Sequence, residues 1–164
     1  MRTDEPQRSC KRKERIAKMQ KIVINACYGG FSLSHEACMK YLELAGKQVW
    51  PDFSGRFFNF TGPTYWLVPP EEQIGDLSDD WAYLSLKERR EWNEKYDEQT
   101  FTPRELKRDD PILVQVVEEL GEKAYGSCAS LKIVDVPDGV NWAIEEYDGR
   151  EWVAEKHRTW GTHG

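Results

Sequence analysis

Apolar residues in this chain gather in a few short runs, separated by stretches where large rings alternate with charge. Ile22-Val23-Ile24 is a continuous β-branched run, the pattern of a strand buried on both faces. It predicts a strand over residues 22–27, stopped by Gly29-Gly30. Ser34 then stands at an N-cap position, with Glu36 in the first turn behind it. Ala37, Met39, Leu42 and Leu44 recur at helical spacing, so a helix is expected over 34–45, with Gly46 as its stop. A second helix is expected over 111–124. Asp110-Pro111 supplies an N-cap and a proline at the first helical position. Leu113, Val116, Val117, Leu120 and Ala124 form its apolar stripe, and Gly126 is its expected end.

Residues 47–104 have a different texture. They hold Trp50, Phe53, Phe57, Phe58, Phe60, Tyr65, Trp66, Trp81, Tyr83, Trp92, Tyr96 and Phe101, punctuated by prolines. An aromatic-rich insertion or a long ordered excursion is expected here, with a helix from about Ser85 to Gln99. Ser85 and Glu88 make a capping box, and Trp92 and Tyr96 an i,i+4 pair.

After Gly126 the period becomes two. Residues 131–136 read as a strand and Pro137-Asp138-Gly139 as a turn. Residues 140–147 and 150–160 read as a hairpin about Asp148-Gly149. A two-residue turn would pair Ile144 with Val153 and Trp142 with Glu155, setting Glu155 and His157 on the apolar face. A three-residue turn with Gly149 as a bulge shifts the second strand by one and turns both residues away. The bulged register gives the cleaner apolar face and is the one expected.

Together these elements predict a single α+β (or α/β) domain over 21–164. Its two layers comprise a small mixed sheet with helices on one face and the aromatic-rich insertion at about 47–104. Residues 1–20 read as a basic, disordered leader, and Met19, directly before the strand, offers an alternative start. Residues 1–21 hold eight Lys/Arg and three Asp/Glu, a charge of +5. The whole chain carries −6, which leaves −11 on the rest. An acidic body repels duplex phosphates, so nucleic acid is not expected as a partner except through the leader. No run approaches the roughly 18 apolar residues of a membrane span. Four scattered cysteines without C-x-x-C spacing read as free thiols of a reducing cytoplasm rather than a disulfide framework or a zinc site.

The candidate chemistry centres on Asn25-Ala-Cys-Tyr-Gly-Gly-Phe-Ser-Leu-Ser34. A glycine turn between strand and helix exposes amides at the positive end of a helix, where phosphates and carboxylates bind. Asn25, Ser32 and Ser34 can add donors there, and Tyr28 or Phe31 a stacking surface. Neither phosphate-loop spacing nor the dinucleotide fingerprint is present, and Gly29, Gly30 and Ser34 serve equally as turn and cap. Cys27 is the candidate nucleophile, with His157 as base and Glu155 orienting it. A buried, inert thiol is the structural alternative. Lys156 and Arg158 alternate with Glu155 and His157, either as a charge-guarded edge strand or as an anion-binding edge. His157-Arg158-Thr159 has no second H-x-T partner, and His35-Glu36 does not continue as H-E-x-x-H. No metal and no cofactor are expected.

The segment 25–34, with Arg108-Asp-Asp-Pro111 and Glu146-Tyr-Asp-Gly-Arg-Glu-Trp-Val-Ala-Glu-Lys-His-Arg-Thr-Trp160, resembles a group of small proteins encoded by bacteriophages and prophages. The likeness covers about half of the chain and omits the aromatic segment. It implies a phage accessory role in the host cytoplasm and lends no catalytic residues. Three functions follow as expectations. The first is non-catalytic binding of a phosphorylated or nucleotide-like small molecule at Asn25, Cys27, Tyr28, Gly29, Gly30, Phe31, Ser32, Ser34, His157 and Arg158, possible sequestration of a host signal included. The second is inhibition of a host enzyme through exposed rings and an acidic surface. The third is thiol catalysis by Cys27 and His157.

Overall fold

A computed structural model describes residues 18–55, 62–77 and 79–156. The fold is α+β. β1 (Met19–Asn25) leads to α1 (His35–Leu44), and then to the short strands β2 (Trp50–Asp52) and β3 (Thr64–Trp66). α2 (Leu86–Gln99) runs directly into β4 (Thr100–Phe101). α3 (Pro111–Leu120), β5 (Leu131–Pro137), β6 (Trp142–Tyr147) and β7 (Arg150–Glu155) complete it.

The strands do not share one mixed sheet. Among the described residues they divide into three antiparallel sheets, β1–β5, β2–β3–β4 and β6–β7. β1 is nonetheless buried on both sides, as its unbroken apolar run predicts. Val23, opposite Ile133, faces a core built from Ala37, Tyr41 and Leu42 of α1 and Leu113, Val116 and Val117 of α3. Ile22 and Ile24 face the other way, onto Trp142, Ile144 and Val153 of the hairpin. Thus the β1–β5 ribbon has helices on one face and a second ribbon on the other, where the sequence suggested helices over a single sheet.

Local chemistry sets the element ends. Ser34 Oγ accepts from the Ala37 amide at 3.1 Å and starts α1. Asp110 caps α3 by accepting from the Ile112 amide at 2.8 Å. α3 stops earlier than expected. Gly121 takes φ 57°, a left-handed conformation, and the remaining turn, Gly121–Ala124, is a 3₁₀ helix rather than α. The Ser85–Glu88 capping box of α2 is present, and the Trp92 and Tyr96 rings stack at 5.2 Å.

The hairpin takes the two-residue register, not the bulged one. Ile144 pairs with Val153 and Trp142 with Glu155. Asp148 at φ 50° and Gly149 at φ 83° supply the two positive dihedrals of a type I′ turn, whose twist matches the strands. The cost to face purity is borne at the ends. Glu155 is exposed at the tip of β7, while Glu151, on the same face, is the carboxylate that becomes buried. His157 and Arg158 lie outside the described residues.

Candidate functional site

Two polar clusters flank the first loop. The first surrounds Asn25, which is fully buried. Its Nδ2 donates to the carbonyls of Cys27 and Gly149, each at 2.7 Å. Its Oδ1 accepts from the Ser130 amide at 2.9 Å and from the Cys27 thiol at 3.3 Å. Its main-chain amide donates to Glu151 Oε2 at 2.8 Å. Asn25 therefore has no polar atom to spare for a ligand. It joins the first loop, the β5 approach and the hairpin turn.

Arg108 closes the same cluster. Its guanidinium grips Glu151 with two parallel bonds, at 2.7 and 2.9 Å, and lies 3.5 Å from the centroid of the Phe31 ring. Its main-chain carbonyl accepts from the Val23 amide at 2.8 Å, on the edge of β1 away from β5. Both side chains are largely buried, at 15% and 10% exposed. A planar fork on a carboxylate with an aromatic floor satisfies a buried charge where a single contact would not. Neither Arg108 nor Glu151 was singled out by residue type, although both lie in segments that carry the phage-protein resemblance.

Gly29 of this turn and Gly149 of the hairpin turn are both required by close packing. A Cβ on Gly29 would stand 1.7 Å from the Cys128 carbonyl oxygen, and one on Gly149 would stand 2.5 Å from the Gly30 amide nitrogen. The hairpin turn and the loop before β5 thus press on the face that a phosphate would need. The helix end is also engaged: the Ser34 amide donates to the Ala124 carbonyl, Ser34 Oγ to that of Lys123, and Glu36 brings negative charge to the first turn. Cys27 lies eight residues before the first residue of α1 and donates to the Cys128 carbonyl at 2.8 Å. Tyr28 is exposed, with Arg150 5.8 Å from its ring centroid.

The second cluster is a cleft of about 420 Å³ between the start of α1 and the aromatic segment. Ser32, His35 and Cys38 form one wall; Tyr65, Tyr96, Phe101 and the threonines 64, 100 and 102 form the other, with Arg104 among the lining residues. The aromatic segment reaches α1 through rings. Tyr41 stacks on Phe101 at 5.5 Å, and His35 on Tyr65 at 5.7 Å. His35 Nδ1 is 3.0 Å from the Tyr65 hydroxyl, which also bonds Cys38.

This relay does not make a nucleophile. Burial pushes the Cys38 thiol up to about 11, with the Tyr65 bond opposing it only in part. Burial likewise raises the Tyr65 hydroxyl, and the neighbouring Cys38 adds to the rise. Both groups stay protonated near neutral pH. Their chemistry is hydrogen bonding, suited to holding a ligand. Among the described residues no group of three or more His, Cys, Asp or Glu is placed to hold a metal ion, and no helix is long and apolar enough to cross a membrane.

Of the described residues proposed from sequence, Ser32 alone lines this cleft. Asn25, Cys27, Gly29 and Gly30 gather in the packed cluster, Phe31 is buried under Arg108, and Ser34 caps α1. His35, Tyr65 and Arg104 were missed as a set, since 30 residues separate His35 from Tyr65 and no short motif links them. The chain matches no family model, no curated protein and no solved structure.

Proposed function

We propose that this chain is a phage accessory protein that binds a nucleotide-like or phosphorylated small molecule without catalysing its reaction, and that the ligand sits in the cleft beside α1. The observation that carries the reading is the cleft's composition. Its volume falls in the range of small-molecule sites. Tyr65, Tyr96 and Phe101 offer ring surfaces for a planar base, hydroxyl-bearing side chains offer hydrogen bonds, and Arg104 and His35 offer partners for an anionic group. The phage setting rests on the sequence resemblance, and host-signal sequestration follows from it as the role such binding would serve.

The test is thermal denaturation with a panel of mononucleotides and cyclic nucleotides. Ligand at a hundred times its Kd stabilises the native state by about 2.7 kcal/mol, and at least one member should raise the melting temperature by several degrees. Arg104→Glu, at an exposed residue, should abolish that rise while leaving the unliganded melting temperature in place. No rise with any member of the panel would sink the proposal.

A second reading, inhibition of a host enzyme by direct contact, is favoured by one specific surface. Tyr147 and Trp152, 72% and 42% exposed, stand on the outer face of the hairpin with Arg150, and exposed Tyr28 lies near Arg150. Tyr, Trp and Arg are the types that dominate binding hot spots. If this reading holds, a host enzyme that co-purifies with the protein is lost on Trp152→Ser and its activity is restored.

A further inference from the structure

We propose that Cys27 and Cys128 are a redox pair that closes to a disulfide, pinning the first loop to the segment before β5. The ladder brings them together. Asn25 pairs with Leu131, and the Ala26 amide donates to the Ser130 carbonyl at 2.7 Å. The next residues along the two strands are Cys27 and, opposite and just beyond, Ala129 and Cys128.

Contacts between the two segments follow the same convergence. Cys27 Sγ already rests 2.8 Å from the carbonyl oxygen of Cys128. The Cys128 Cβ lies so close to the turn that a Cβ on Gly29 would be 2.5 Å from it. Cys128 also holds φ 63°, a left-handed conformation that residues with a side chain rarely take. The absence of a side chain at Gly29 is what admits Cys128 to this position. Disulfides require Cα atoms within about 7 Å and converging Cβ vectors. The Cys27 thiol is already seated against the main chain of Cys128, which sets the two residues side by side. Accessibility is graded in the order the chemistry uses: Cys128 is exposed, Cys27 half-buried and Cys38 fully buried under Tyr65.

The oxidant is a low-molecular-weight disulfide, RSSR. The Cys128 thiol loses its proton and its sulfur attacks one sulfur of RSSR. The S–S bond breaks, and the departing RS⁻ takes up a proton to leave as RSH. The Cys27 thiolate, its proton released to solvent, then attacks the Cys128 sulfur of the mixed disulfide and expels the second RS⁻, which is protonated in turn. Two protein thiols are oxidised and one RSSR is reduced to two RSH. The crosslink closes a loop of about a hundred residues, the kind that constrains the unfolded chain strongly.

The experiment incubates the full-length protein with oxidised glutathione, blocks residual thiols by alkylation, and maps the digest by mass spectrometry without reduction. The expected product is a peptide pair joined through Cys27 and Cys128, with intact mass lower by two hydrogens and a melting temperature that rises on oxidation and returns on reduction. C128S should lose both the crosslink and the rise, while C10S should keep both. Stable glutathione adducts on Cys128 with Cys27 still alkylated would overturn the proposal, as would a crosslink through Cys10 or Cys38.

Discussion

At the scale of single residues, neighbouring glycines do different work. Gly30 has φ 82° and nothing within 4 Å of an added Cβ, so it is chosen for its backbone conformation. Gly30→Ala should therefore cost about 1 kcal/mol. Gly29 has no positive φ but no room, and Gly29→Ala drives a methyl into the Cys128 carbonyl. A loss of about 3 kcal/mol or more is expected. Denaturant midpoints of the two variants check this order, and equal losses would mean that contact with Cys128 does not set the tolerance. Sequence makes both glycines look like parts of one turn. What separates them is a loop about a hundred residues away, which no local pattern reports. Asn25 is similar: its type suggested a ligand donor, whereas all of its bonds go to the protein.

Among elements, the helices and the β1 run were readable because their signals are local. Caps at Ser34, Ser85 and Asp110 each sit one residue before a helix, and the spacing of apolar residues fixes the buried face. The hairpin register was readable only from its turn. Face purity favoured the bulge, but Asp148-Gly149 meets the dihedral demands of a two-residue turn, and Glu151 is made tolerable on the inner face by Arg108, a residue outside the hairpin. Gly149→Ala tests how firmly the turn is built in. The added methyl meets the Gly30 amide at 2.5 Å as well as a positive φ, so it should destabilise by about 2 kcal/mol or more. Urea denaturation and loss of amide protection in β6 and β7 would register it. A neutral substitution would contradict the packing of hairpin turn on glycine turn.

Across the whole molecule, one buried ion pair and one buried tyrosine hold distant elements together. Removing either Arg108 or Glu151 leaves the other charge buried, so Arg108→Ala and Glu151→Ala should each cost about 3 kcal/mol. The double variant should lose clearly less than the sum, which a double-mutant cycle measures. Tyr41, bonded to Asp110 at 2.6 Å, is pushed by burial and by that carboxylate from 10.0 to about 12. The folded state thus holds its proton where the unfolded chain releases it. The associated stability is fully present below pH 10 and drains away as pH climbs toward 12. Melting temperature should fall across that window, with tyrosinate absorbance appearing as the protein unfolds, and Tyr41→Phe should flatten part of the fall. The cleft belongs to this scale too. His35 and Ser32 meet Tyr65 and Phe101 only when the aromatic segment folds back on α1, and nothing short-range in the sequence encodes that return.

The double burial of β1 has a kinetic corollary. Its ladder partner begins at Leu131, and the carboxylate that receives the Asn25 amide is 126 residues along. Neither face of this strand can be covered by near neighbours alone, so the chain must close very large loops before Ile22 and Ile24 leave water. Such a strand spends the early part of folding as an exposed β-branched edge. Refolding should be slow for a protein of this size and concentration-sensitive, with off-pathway aggregates seeded by residues 19–25.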